Sequence, residues 1–157
     1  PAWSPDGGRI VYSCMPPGES HWTIWTMSPD GGSPVKVFDN GESATFPSWS
    51  PDGSRIVFYC DNSILVVPVT GGPATIVAAA DKDRPTWSPI DDLIAYSHDR
   101  NIWVISWLGS SPVRVTNIPP RVGLNAERPA WSPDGSQIAY DLNEIGSYIS
   151  LVLQRMD

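Results

Sequence analysis

Cysteine, histidine and positive charge are all scarce in this chain, and so are unbroken apolar runs. Among 157 residues there are two Cys and two His, and ten Lys plus Arg stand against 17 Asp plus Glu, for a formal net charge of −7. With so few cations, and no run of them, the chain is poorly equipped to hold a phosphate backbone, so no nucleic acid is expected as a partner. The longest apolar stretches, such as Ile64 to Val67, fall far below the roughly 20 residues of a membrane-spanning helix, so no membrane insertion is expected. Long helices are excluded for a different reason, because 17 Pro and 13 Gly interrupt the chain too often to sustain them. What remains is rich in sheet formers: eight Trp, five Tyr and three Phe in a chain with enough apolar residues for one packed domain.

The aromatics are not scattered. Trp3-Ser4-Pro5-Asp6-Gly7 returns as Trp49-Ser50-Pro51-Asp52-Gly53 and as Trp131-Ser132-Pro133-Asp134-Gly135, with a shorter copy at Trp87-Ser88-Pro89. This spacing, close to 40 residues, belongs to four-stranded propeller blades rather than to ankyrin-type or leucine-rich units. After each copy comes an apolar triplet in one register: Ile10-Val11-Tyr12, Ile56-Val57-Phe58, Ile94-Ala95-Tyr96 and Ile138-Ala139-Tyr140. In a strand the outer two residues of a triplet face one way and the middle one the other, so each predicted strand is covered on both faces. Stacked blades supply that cover. The triplets predict strands over Arg9 to Ser13, Arg55 to Tyr59, Leu93 to Ser97 and Gln137 to Asp141. A third strand follows at Ile24 to Met27, Ile64 to Val67 and Ile102 to Ile105, and a fourth at Val35 to Phe38, Thr75 to Ala78 and Val113 to Thr116. The order within a repeat is therefore A-B-C-D.

The expected fold is an all-β propeller filling one domain, 1–157, in repeats of about 1–42, 43–80, 81–124 and 125–157. The last repeat has no strand D. That leaves a fragment of a larger propeller, a four-bladed ring with an open seam, or a partial ring completed by a second subunit, and self-association through open blade edges is expected. The W-S-P-D-G motif is turn chemistry: Pro presets φ, Asp follows, Gly takes the positive φ, and Trp covers the turn as part of the core. In the third repeat Ile90-Asp91-Asp92 replaces Asp-Gly, so an Asp is expected in the left-handed region there, within the least regular hairpin of the four.

On the motif pieces P-x-W-S-P-D-G, I-[AV]-[YF] and the third strand with its Gly turn, the chain resembles the WD40-like PD40 repeats of TolB-type propellers. Related repeats build the propellers of tricorn-like and prolyl-oligopeptidase-like peptidases. True WD40 repeats are less similar, because no Gly-His or Trp-Asp pair occurs. The resemblance implies a scaffold and carries no catalytic residue. It also implies a periplasmic or secreted setting.

Candidate chemistry is thin. Cys14 and Cys60 hold equivalent positions on neighbouring blades, with His98 in the same slot of the third. Stacked sheets lie about 10 Å apart, beyond disulfide reach, so neither a disulfide nor a metal site is expected. There is no G-x-S-x-G elbow, and only His21 and His98 are available as a base, with His98-Asp99-Arg100 in a B–C turn. No catalytic residue, metal or cofactor is assigned. The residues entering strand A are more informative, since strand A is innermost and its entrance meets the central channel. Asp81, Asp83 and Arg84 in repeat three, and Glu127 and Arg128 in repeat four, place mixed charges on a rim, as interblade ion pairs or as a ligand site. Trp107 falls outside the repeated pattern and is an interface candidate. The leading functional expectation is a non-enzymatic binding scaffold that takes another protein or a small ligand at the channel mouth. The alternatives are the gating propeller of a serine peptidase, or a propeller lyase or glycosidase using Asp81, Asp83 and Glu127.

Overall fold

The computed structural model describes residues 1–81, 84–119, 123–144 and 147–156. Within them the chain is all β, with no helix. Four antiparallel sheets follow one another along the sequence. The first holds β1 (Ala2–Trp3), β2 (Ile10–Cys14), β3 (Thr23–Met27) and β4 (Val35–Phe38), and the second holds β5 (Ala44–Trp49), β6 (Arg55–Cys60), β7 (Ser63–Pro68) and β8 (Thr75–Ala79). The third holds β9 (Thr86–Trp87), β10 (Leu93–His98), β11 (Asn101–Ser106) and β12 (Val113–Arg114). The fourth has β13 (Asn125–Trp131), β14 (Gln137–Glu144) and β15 (Ser147–Arg155). Each sheet is one blade, ordered A-B-C-D from one edge to the other in the first three and A-B-C among the described residues of the fourth.

The strand B triplets face as their alternation requires. Ile56 and Phe58 join a buried cluster with Val11 and Ile24 of blade one. Val57 points the other way, into a cluster with Ile94 and Tyr96 of blade three. Ala95 of blade three in turn packs with Ile138 and Tyr140 of blade four. The Ile and the aromatic thus always look back to the preceding blade and the middle residue looks forward. The core is three interblade seams rather than one centre.

Each W-S-P-D-G turn is closed by its own side chains. Ser50 Oγ donates to Asp52 Oδ1 at 2.6 Å and accepts from Arg55 N at 2.9 Å. Asp52 Oδ1 also accepts from Ser54 N at 2.9 Å. The same Ser–Asp clasp, at 2.6 Å, recurs at Ser4–Asp6 and Ser132–Asp134. Gly53 and Gly135 take φ of 68° and 71°, and a Cβ on Gly135 would meet Ile90 Cγ1 of blade three at 2.6 Å. Consecutive turns therefore touch, and Gly is needed there for space as well as for φ.

The third blade departs from expectation. Neither Asp91 nor Asp92 has positive φ. Instead Asp91 Oδ1 accepts from Leu93 N at 3.2 Å, a local side-chain clasp that spares an Asp the left-handed region. The turn also lacks the backbone hydrogen bond to the motif Ser carbonyl that closes the other three, from Gly7 to Ser4, Gly53 to Ser50 and Gly135 to Ser132, while the pairing of its strands A and B runs without a register shift. Strand D of this blade is also short, because Thr116 Oγ1 takes over the ladder, accepting from Ile102 N at 2.9 Å and donating to Asn101 Oδ1 at 3.0 Å. The B–C turns of blades two and three are two-residue reversals with positive φ at Asp61 and Asn62, and at Asp99 and Arg100, the geometry of hairpins whose twist matches the strands. Cys14 and Cys60 are both free.

The clasp has an acid signature. Hydrogen bonds from Ser50 and from Ser54 hold the Asp52 carboxyl down at about 2, so the charged form is favoured in the folded chain. Its contribution is complete above the ordinary value of 3.8 and is lost as pH falls through about 2. Asp52→Asn should therefore melt below the wild type at neutral pH, and the gap should narrow across that window in thermal melts recorded against pH. A gap independent of pH would contradict the clasp.

Candidate functional site

A proline stands two residues before the motif Trp in every blade, and Pro1, Pro47, Pro85 and Pro129 all line one cavity of about 920 Å³. Four equivalent positions on four blades can share a cavity only where the blades converge, so this is the channel mouth and strand A is the inner edge. Proline lacks the N–H that would continue the ladder. The pairing of strands A and B accordingly breaks between Thr45 and Ser48 and between Glu127 and Ala130. Phe46 and Arg128, each just before a proline, sit at φ of 56° and 55°. For non-glycine residues this is an uncommon, costly conformation, and it is held here at the cavity rim.

The cavity wall mixes rings with a few polar groups. Phe46, Tyr59 and Trp22 line it, with Arg84 the one cation and Glu42 and Asp61 the anions among the described residues. The Arg84 guanidinium lies 5.3 Å from the centre of the Phe46 ring, a distance at which the ring face attracts it. Arg84 itself is exposed, so its donors are open to the cavity side. Ser13 Oγ and Thr45 Oγ1, both on the wall, are buried without a hydrogen-bond partner, an uncommon state for polar atoms and one that a ligand or water would relieve. Tyr59 is committed locally, since its hydroxyl donates to Asn62 Oδ1 at 3.0 Å.

Of the expected rim charges among the described residues, Arg84 alone is placed on the cavity wall. Asp83 lies outside the described residues. Asp81 stands beside His98, with Oδ1 to Nδ1 at 3.8 Å. Glu127 Oε2 accepts from Asn143 Nδ2 at 2.8 Å, and Arg128 reaches Asp141 at 3.4 Å. Those two contacts run from strand A to strand B of the same blade, so these rim charges brace their own blade. Phe46, the residue in the same slot as Arg84 and Arg128, was legible in the repeat alignment, but its ring gave no charge to notice. Ser13 and Thr45 carried no signal in the sequence.

The remaining candidates are occupied within the chain. Trp107 Nε1 donates to Asp92 Oδ1 at 3.2 Å, its ring lies 6.3 Å from that of Trp87, and the Arg55 guanidinium sits 4.1 Å over it. It therefore joins blades two and three. His21 Nε2 and Lys36 Nζ both contact the Asp39 carboxylate, at 2.9 and 2.7 Å. Lys36 first and His21 second hold that carboxyl well below the usual range. Neither histidine lines the cavity. The described residues contain no group of three or more His, Cys, Asp or Glu that could hold a metal ion.

A family model described as the TolB beta propeller domain, PD40, matches residues 1–156. Among solved structures, a protein described as TolB from Agrobacterium tumefaciens superposes with a TM-score of 0.84 at 21% identity, over 98% of this chain and 60% of that one. TolB from Acinetobacter baumannii superposes with a TM-score of 0.64 at 17% identity, over 95% of this chain and 50% of that one. A prolyl endopeptidase gives 0.73 at 13% identity, over 99% of this chain and 27% of that one. At these identities the likeness is one of fold, and the chain spans 60% and half of the two TolB chains. No curated protein matches the chain by sequence.

Removing the Trp107 side chain should weaken the junction of blades two and three. Trp107→Ala should cost about 2 kcal/mol in urea unfolding, from lost ring contact and cation–π attraction, and Arg55→Ala less than about 1 kcal/mol. Unchanged stability in Trp107→Ala would return that indole to the pool of free interface residues.

Proposed function

Because the chain belongs to the TolB β-propeller (PD40) family, we propose that it is a non-enzymatic binding module whose channel mouth takes a carboxylate-bearing segment of another protein. The observation that carries this reading is Arg84 stacked on Phe46 at the wall of a cavity to which all four blades contribute. The ring limits how far the guanidinium can swing, and its planar fork is suited to a carboxylate in two-point contact. Rigid prolines and the exposed Trp22 supply apolar surface beside it. Ser13 and Thr45, whose hydroxyls are buried without a partner, also line the cavity. Acid–base chemistry finds less support. Both histidines lie off the wall, and of the three carboxylates a lyase or glycosidase reading would use, Asp81 and Glu127 do not line it, while Asp83 lies outside the described residues.

A peptide library displayed on phage, selected on the purified chain, tests this reading. Bound sequences should be enriched in acidic residues or end in a free carboxylate. Arg84→Glu should weaken the selected peptides by roughly 10- to 100-fold, as for loss of a hydrogen bond to a charged group, and Phe46→Ala should weaken them as well. Peptides that bind Arg84→Glu as tightly as wild type would overturn the assignment of the site.

A further inference from the structure

The B–C turns of blades one, two and three each give a carbonyl to the chain leading into strand A of the next blade. Trp22 O accepts from Ala44 N at 2.8 Å, Asn62 O from Ala80 N at 3.0 Å and Arg100 O from Ala126 N at 2.9 Å. Trp22 therefore fills the slot of Asn62 and Arg100, but on a longer turn, because residues 15–22 separate β2 from β3 where two residues suffice in the next two blades. Trp22 is exposed and lines the cavity. A turn of that length has no ladder of its own, so ordering its end takes specific bonds.

One carboxylate supplies them. Asp39, just past β4, accepts on Oδ1 from His21 Nε2 at 2.9 Å and from Gly41 N at 3.2 Å, and on Oδ2 from Lys36 Nζ at 2.7 Å. A carboxylate only accepts, so the contact puts a proton on Nε2 of His21 whatever the charge of the ring. His21 adjoins Trp22, Gly41 opens the run Gly41-Glu42-Ser43, and Trp22 N donates to Ser43 Oγ at 3.3 Å. Trp22, Glu42 and Ser43 line the cavity, whereas Asp39 and His21 do not. Asp39 thus ties together the two stretches of chain that form this part of the mouth.

We propose that Asp39 is a positioning residue of the channel mouth, holding through His21 the Trp22 ring as the apolar contact for the segment whose carboxylate Arg84 takes. The inference rests on the binding reading above and adds to it a second contact residue and the device that places it. Their mutual hydrogen bond holds the Asp39 carboxyl well below its usual range and the Lys36 ammonium above its own, so both stay charged around neutral pH. Glu19 on the same turn also acts on Lys36. Of these side-chain types histidine is the one that changes charge between pH 5 and 8. The other histidine, His98, lies on β10 beside Asp81. A response of Trp22 in that range that disappears with His21 therefore reports the His21–Asp39 tie.

The indole N–H resonance of Trp22 in the free chain, assigned by its loss in Trp22→Phe, gives the first test. It should shift between pH 5 and 8 in the wild type, stay fixed in His21→Gln, which keeps a donor but cannot charge, and shift by less than half as much in Asp39→Ala. Binding of a synthetic copy of a phage-selected acidic peptide gives the second. Trp22→Ala should weaken it by roughly tenfold or more, and Asp39→Ala and His21→Ala by roughly three- to tenfold each, with neither adding to the loss once Trp22 is alanine. Circular dichroism checks the fold, and His21→Ala carries the same cycle should Asp39→Ala not fold. An indole shift unchanged in Asp39→Ala, or a full additional loss of affinity on top of Trp22→Ala, would overturn the proposal. A peptide indifferent to Arg84→Glu would instead defeat the channel-mouth reading, and the titration of the free chain would still decide whether Asp39 places Trp22.

Discussion

The rest of the structure depends on one contact, the motif tryptophan reaching back from each blade to its predecessor. Its ring covers the preceding inner strand, and at two of the three junctions its N–H caps a carbonyl of that strand. At the remaining junction Trp87 is buried with an unpartnered Nε1, and its backbone N–H instead donates to Ser48 Oγ at 3.4 Å. That seam is the one reinforced by Trp107 and Arg55. A buried donor left unpaired costs stability, and the added aromatic and cation offset it. Because each blade is apolar on both faces, none has a core of its own, and stability resides in the seams, as in other repeat proteins.

The same arrangement makes the functional surface. Stacking blades through their strand B triplets brings the four strand A entrances together, and in blades two and four the ladder is interrupted at the proline. Backbone freed from pairing leaves Phe46 in a left-handed conformation at the rim, beside the Arg84 guanidinium. Strain at the rim is borne by the paired strands behind it, the usual division between a rigid frame and the residues it displays.

The fold was legible because the repeat states it four times. A single I-V-Y triplet is weak, but four in register, each preceded by W-S-P, define the B strands to within a residue or three and the facing of every side chain on them. Three features were not legible. The Ser of the motif closes the turn through Asp, which a reading confined to Pro, Asp and Gly passes over. Trp3 was expected in the core with its counterparts and is exposed, because a motif Trp is buried against the blade on its backward side and not by its own strands. The rim charges were grouped by slot, yet in the structure Glu127 and Arg128 turn to their own strand B, through Asn143 and Asp141, Glu127 in regular register and Arg128 within the irregularity that follows it. Position in a repeat predicts backbone well and side-chain partners less well, since partners depend on the neighbouring blade's local irregularities.

The most direct measurement is hydrogen exchange on Trp49→Ala. Loss of a buried large aromatic should cost about 3–5 kcal/mol, and if the indole is the bond between blades, protection should fall in Ala2–Trp3 and Ile10–Cys14 of blade one as much as in blade two. Loss of protection confined to the Trp49–Gly53 turn and its own strands, with blade one unchanged, would show that the tryptophan serves its own blade and would contradict the account.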